Sequence, residues 1–210
     1  MNDPLRPRDP VAPATPADPA LDALARGLRA LPPSVGPVRL VAVDGHAGSG
    51  KTTFSGRLAA ALGGAPVLHL DDLATHEELF DWSDRLDEWI LIPLSHGETA
   101  RYRTYDWVAR QFAGERELAA APVVIVEGVG AGRRALRPYL ACLMWMELTD
   151  VSSWERGQLR DGPGMSTFWD GWKRAEREHF AADPTRPYAE LLVHQCQEGY
   201  EVLPGPHGSP

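Results

Sequence analysis

The chain has 210 residues, 43% hydrophobic and 24% charged, with a formal net charge of -8; this suits one α/β domain with a sizeable core and excludes a fibre or a wholly disordered chain. The acidic balance argues against a nucleic-acid partner, which needs a basic face to offset phosphate charge. Two cysteines, Cys142 and Cys196, form no disulfide framework and no CxxC metal spacing, and no window holds the roughly 18 to 20 apolar residues of a membrane span, so a cytoplasmic protein without a membrane partner is expected.

Residues 1–19 are rich in proline and alanine and are expected to form a disordered arm. Leu21, Leu24, Leu28 and Leu31 then recur at helical spacing, with Asp18 placed as a cap and Pro32-Pro33 as a stop. Residues 38–43 (VRLVAV) form a short apolar run rich in β-branched side chains, which reads as a buried strand. A glycine-rich turn follows, then a helix over 52–62 closed by Gly63-Gly64. Further strands are expected at 67–70, 123–126, 140–148 and 190–193. The 67–70 strand runs into Asp71-Asp72, and the 123–126 strand into Glu127.

Residues 75–114 are irregular and aromatic, carrying Trp82, Trp89, Tyr102, Tyr105 and Trp107; they form either an acceptor-binding cap or packing on the core. Helices are expected over 151–160 and Ser166–Ala182, separated by Asp161-Gly-Pro-Gly164, with Trp169, Trp172 and Phe180 facing inward. Cys142, inside an apolar run, is expected to be a buried, inert thiol. The pattern predicts a three-layer α/β fold over 20–203, with a mostly parallel five-stranded sheet and a small cap insertion, and a frayed tail over 204–210. Ligands of such sheets bind at the carboxyl ends of the strands, where Asp71, Asp72 and Glu127 fall.

Gly45, Gly50, Lys51 and Thr52 match the pattern GxxxxGK[ST], between a predicted strand and a predicted helix. The glycines allow successive N–H groups to converge on phosphate oxygens, and the following helix adds the positive end of its dipole. Gly45, His46, Ala47, Gly48, Ser49, Gly50, Lys51, Thr52 and Thr53 are therefore assigned to ATP phosphate binding. Lys51 reaches the β and γ phosphates, and Thr52 coordinates magnesium. His46 occupies a variable position of the loop and is given no chemical role. The chain's other lysine, Lys173, stands in Trp172-Lys-Arg174, so the Asn-Lys-x-Asp element of guanine-reading switches is absent, as is the LSGGQ signature of transporter ATPases.

Transferring a γ-phosphoryl group requires magnesium ligands, cations and a carboxylate that receives the acceptor's proton. Asp71 at a strand end can be that carboxylate, with Asp72 as the alternative by a one-residue shift. Glu127 either holds magnesium through water or caps the sheet. Arg156 and Arg160, four residues apart, meet the transferring phosphate or form a solvated basic face.

These features resemble the uridine kinase and phosphoribulokinase-like branch of P-loop kinases. Residues 41–53 look like that family's first strand and P-loop, and Leu70-Asp71-Asp72-Leu73 resembles its DSFY element, which implies that Asp71 is the catalytic base. Phe80-Asp81 is similar to its FD pair, implying acceptor ribose contacts for Asp81. Arg103-Thr-Tyr105-Asp106-Trp107 is similar to PxYDF, implying that Tyr105, Asp106 and the following Arg110 lie beside the substrate with Asp72. Residues 123–128 look like the strand that ends in Glu-Gly near magnesium, and 156–161 like the arginine-bearing lid. The chain departs from the family at Ala74, Arg110 and Phe112, where a tyrosine, a histidine and an arginine are usual. The resemblance implies a magnesium-dependent kinase acting on a hydroxyl of a small acceptor, a nucleoside or another sugar-like metabolite; a homo-oligomer is compatible with it. A nucleotide-binding regulatory protein is the competing reading.

Overall fold

Asp18 sets the first described helix. The computed structural model describes residues 18–197 and 199–207, so most of the expected arm lies outside the described residues. Within it, the Asp18 carboxylate accepts from the N–H groups of Ala20 (3.1 Å) and Leu21 (3.4 Å) and caps helix α1, Pro19–Ala30, a contact worth about 1 kcal/mol. Pro19, assigned to the arm by its composition, is thus the first residue of that helix, where its fixed φ and missing N–H cost nothing.

Strand β1 (Arg39–Asp44) leads into helix α2 (Lys51–Ala61) and strand β2 (Val67–His69). β2 stops one residue before the expected end because Leu70–Asp72 winds into a 3₁₀ turn. The aromatic insertion has more structure than its sequence announced. It holds a helical stretch, α3 (Ser83–Leu86), π-helical Asp87–Leu91 and α4 (Ile92–Ser95), and then an antiparallel hairpin of β3 (Ala100–Asp106) and β4 (Gln111–Leu118). Strand β5 (Val123–Glu127), strand β6 (Cys142–Met146), helix α5 (Asp150–Asp161), helix α6 (Ser166–Ala182), strand β7 (Leu191–Cys196) and strand β8 (Gly199–Pro204) complete the described chain.

The sheet runs β2-β5-β1-β6-β7-β8 and is parallel throughout except where β8 turns back on β7. It therefore has six strands among the described residues where five were expected. β8 was missed because it is an edge strand with one fully buried side chain, Tyr200, and it ends on a proline, so it shows no apolar run. The expected frayed tail is correspondingly shorter: Pro204 belongs to β8, and the N–H groups of Gly205 and His207 donate to the carbonyls of Glu190 and Ala189.

Alternation along β1 divides the core. Val41 and Val43 pack with Leu21, Leu28, Phe54 and Leu58 from α1 and α2 on one face, whereas Leu40 and Ala42 pack with Trp82, Ile90, Leu94 and Tyr102 from the insertion on the other. The insertion is thus partly core, with Trp82 and Tyr102 buried. A third cluster, of Val129, Trp154, Trp169 and Trp172, lies under α5 and α6.

Cys142 is buried as expected, and desolvation pushes its thiol pKa up to about 12, whereas Cys196 is exposed. A thiol reagent at pH 8 is expected to label one cysteine per folded chain and two after denaturation, with peptide mapping placing the first label on Cys196.

Candidate active site

β1 ends on a fully buried carboxylate. Asp44 Oδ1 accepts from the N–H groups of Gly45 (2.7 Å) and Gly130 (2.9 Å), and Oδ2 accepts from Gly132 N–H (2.9 Å) and Thr185 Oγ1 (2.7 Å). The start of the loop is therefore tied to the turn after β5 and to the segment before β7. Gly50, in a left-handed conformation, opens α2, and no side chain caps that terminus. The N–H groups of the first turn thus face a phosphate position with the helix dipole behind them.

Gly48 is the tightest point of the loop. At φ +88° a Cβ there would stand 2.0 Å from the Ser153 carbonyl oxygen of α5. Gly48→Ala is expected to cost about 1–3 kcal/mol through strain and overpacking, seen as a drop of several degrees in Tm, with α5 displaced from the loop.

Lys51 is buried, and its ammonium donates to the carbonyls of Gly45 (2.8 Å) and His46 (2.9 Å). Beside it, Glu127 Oε1 accepts from the Thr52 hydroxyl (2.9 Å) and meets His69 Nδ1 at 2.5 Å. Desolvation pushes the Glu127 pKa up, but the hydrogen bond and charge of His69, with Lys51 and Thr52, outweigh it and hold the group below the ordinary carboxylate range. The carboxylate of Glu127 and the hydroxyl of Thr52 therefore form a hard oxygen set of the kind magnesium takes together with phosphate and water.

Asp71 occupies the 3₁₀ turn after β2. The residue is exposed to solvent at its surface, and its carboxyl lies within the electrostatic reach of Glu127, Lys51 and His69. Desolvation and the charge of Glu127 raise its pKa, against the opposing charges of Lys51 and His69. Asp72 points elsewhere: it accepts from the Tyr102 hydroxyl (3.3 Å) and pairs with Arg116 of β4 (3.3 Å). Burial and the Asp72 charge lift the Tyr102 pKa to about 12, so its hydroxyl stays a donor. Asp72 is therefore anchored to the hairpin, while the Asp71 carboxyl feels the charges of Lys51 and Glu127.

The two lid arginines diverge. Arg156 donates to Gln195 Oε1 of β7 (3.0 Å), while Arg160 sits bidentate on Asp161 (2.6 and 3.1 Å) within the electrostatic reach of Asp71. Their spacing puts both on one helical face, but Arg156 reaches across to β7 while Arg160 is held by the next residue of its own helix. Arg156 and Gln195 border a cavity of about 360 Å³ beside Ser49, between the ends of β6 and β7. A larger groove of about 590 Å³ follows the hairpin, but its Arg101, Arg103 and Arg116 are engaged by Glu117, the Phe112 carbonyl and Asp72, and it lacks phosphate-loop residues.

The remaining acceptor-side residues are placed as follows. Tyr105 is buried in the hairpin, with its hydroxyl 3.1 Å from His76 Nδ1. Asp106 Oδ1 accepts from the N–H groups of Val108 and Ala109, which makes it a turn residue. Arg110, at φ +56°, pairs with Glu77 (3.0 Å). Asp81 is exposed before α3, within the field of Arg133. Trp107 donates to the Asp71 carbonyl (3.1 Å), so the hairpin tip does reach the strand end. Two further residues were not foreseen: His69, hidden inside an apolar strand, and Glu176 of α6, which binds the His46 ring. The signal for Glu176 was a charge on the buried stripe of Trp169 and Trp172.

No family model and no curated protein matches the chain. Solved structures do. A possible uridine kinase from Bacillus stearothermophilus aligns with a TM-score of 0.60 at 16% identity, over 82% of this chain and 96% of that one. The chain has the fold of a P-loop kinase. A candidate fructose transport system kinase from Silicibacter sp. TM1040 aligns with a TM-score of 0.57 at 24% identity, over 78% of this chain and 94% of that one. The expected fold class holds, with β8 added to the sheet. Among the described residues, no helix is long and apolar enough to cross a membrane.

Proposed function

We propose that the chain is a kinase that moves the γ-phosphoryl group of ATP to a hydroxyl of a small nucleoside- or sugar-like acceptor. The observation that carries this reading is the grouping of Lys51, Thr52 and Glu127 behind the loop, with Asp71 and Arg160 within electrostatic reach of one another. The loop N–H groups and Lys51 bind the donor phosphates; the cavity beside Ser49 takes the nucleoside end of ATP, with Arg156 and Gln195 at its edge. Thr52 and Glu127 would hold a magnesium ion, which would supply charge neutralisation on the phosphates. Asp71 accepts the proton of the acceptor hydroxyl, and its raised pKa makes it a better proton acceptor than an ordinary aspartate. Arg160, released from Asp161, screens charge on the transferring group.

The kinase names of the two structural neighbours support this reading. The acceptor class rests on the hairpin tip, where Trp107, His76 and Tyr105 form a ring-lined wall beside Asp71. A coupled ADP-release screen over nucleosides, sugars and cofactor precursors tests it, with the Lys51→Met protein as the blank. An acceptor that raises release above that blank supports the reading; ATP turnover that no acceptor stimulates would sink it in favour of a regulatory nucleotide-binding protein.

A further inference from the structure

Glu176 is fully buried, and the proposed transfer gives it no part. Each of its oxygens accepts twice. Oε1 meets His46 Nδ1 (2.6 Å) and accepts from Trp154 Nε1 (3.1 Å), while Oε2 accepts from Ala47 N–H (3.2 Å) and Trp172 Nε1 (2.6 Å). Four donors fill the four acceptor positions of a carboxylate, and they come from the phosphate loop, α5 and α6. The His46 ring is held further by edge contacts to Trp145, Trp154 and Phe180, at centroid distances of 5.3, 6.0 and 5.1 Å.

We propose that Glu176 is a positioning residue for phosphate binding, one that fixes the leading half of the loop from outside it. The inference rests on the nucleotide-binding reading of that loop. Two links carry it. Ala47 N–H is turned to Glu176 and not toward a ligand, so the leading half of the loop is an anchored base and the trailing half, Gly48 to Thr52, is what presents donors to phosphate. The carbonyls of Gly45 and His46, in turn, receive the Lys51 ammonium, so the orientation of residues 45–46 sets where that charge rests. Glu176 thus acts on the phosphates through His46, Ala47 and Lys51, and the gain is a loop ordered before its ligand arrives.

Glu176→Gln keeps the shape of the side chain but turns an NH₂ group toward two of the four donors; facing Ala47 it loses that loop contact, and facing His46 it leaves only a neutral hydrogen bond to the other ring tautomer in place of the charged one. Equilibrium titrations with ADP and with tripolyphosphate are compared for the wild-type chain, Glu176→Gln and Leu28→Ala. Leu28 is buried in the α1 core, away from the loop, and serves as a control for lost stability alone. Glu176→Gln is expected to weaken both ligands by about tenfold, on the scale of one lost charged hydrogen bond. Leu28→Ala lowers Tm and leaves both affinities within about twofold.

Wild-type affinity in folded Glu176→Gln overturns the proposal, as does an equal loss in Leu28→Ala. If Glu176→Gln does not accumulate as folded protein, His46→Phe keeps the ring contacts and removes the Nδ1 donor; a loss of about threefold or more supports the proposal, and unchanged affinity overturns it. A wild-type chain that binds neither ligand is a distinct result: it overturns the nucleotide reading of the loop and the inference with it.

Discussion

Lys51→Met is expected to reduce phosphoryl transfer by about a thousandfold or more, the scale seen when a preorganised charge is removed from a transferring group. Methionine preserves the reach of the side chain and deletes the ammonium, so the effect isolates charge from packing. The same change leaves the carbonyls of Gly45 and His46 without their buried donor, at a cost of about 1–3 kcal/mol. Tm should therefore fall as activity disappears. Measured as acceptor-stimulated ADP release and as a thermal melt, the pair of outcomes is specific: a Lys51→Met protein with wild-type turnover would remove the phosphate loop from the chemistry.

Asp71→Asn should separate activity from stability in the opposite sense. Turnover is expected to fall by about a hundred- to ten-thousandfold, the contribution of a positioned base, while ADP binding persists because Asp71 is no part of the loop. The Asp71 pKa is raised above that of an unfolded aspartate by desolvation and by Glu127. A group with a raised folded pKa lends stability below its unfolded pKa and loses it as pH rises through the folded value. At pH 7 its ionised form therefore opposes folding, and the neutral asparagine should melt at a higher temperature than wild type. That gap should close as the pH drops below about 3.9, the ordinary aspartate value. An asparagine variant that is both inactive and less stable at pH 7 would instead mark Asp71 as a structural carboxylate. For the wild type, turnover should decline on the acid side at a pH above the ordinary aspartate range, because protonation of Asp71 removes the base.

The parts of the molecule legible in its sequence are those whose signals are local. The apolar run of β1, the glycines at 45, 48 and 50 and the helix behind them form one continuous stretch, and each backbone demand is met by a residue type that advertises it. Asp71 and Glu127 were placed by the rule that strand ends carry ligands and Thr52 by the phosphate-loop pattern, and Thr52 and Glu127 do meet. The insertion was not legible, because its residues serve two masters. Trp82 and Tyr102 are core residues and Asp106 caps a turn, whereas Trp107 reaches the strand end; their sequence pattern does not distinguish these fates. Arg156 and Arg160 show a related limit. Helical spacing predicts the face from which a side chain starts, but not that Arg156 would turn to Gln195 of β7 and Arg160 to its own neighbour Asp161.

Several of the contacts that shape the phosphate loop come from residues far downstream in the chain. Asp44 is bound by groups 86, 88 and 141 residues downstream, and His46 by one 130 residues downstream. During synthesis the GxxxxGKT stretch leaves the ribosome early, complete in sequence but without the partners that give it shape. Such distant closures are slow to form, so competence for nucleotide arrives late, once Thr185 has joined the fold. A chain cut short before that point carries the motif intact without the distant partners that shape it, and on the proposed reading it is expected to bind nucleotide more weakly than the full chain.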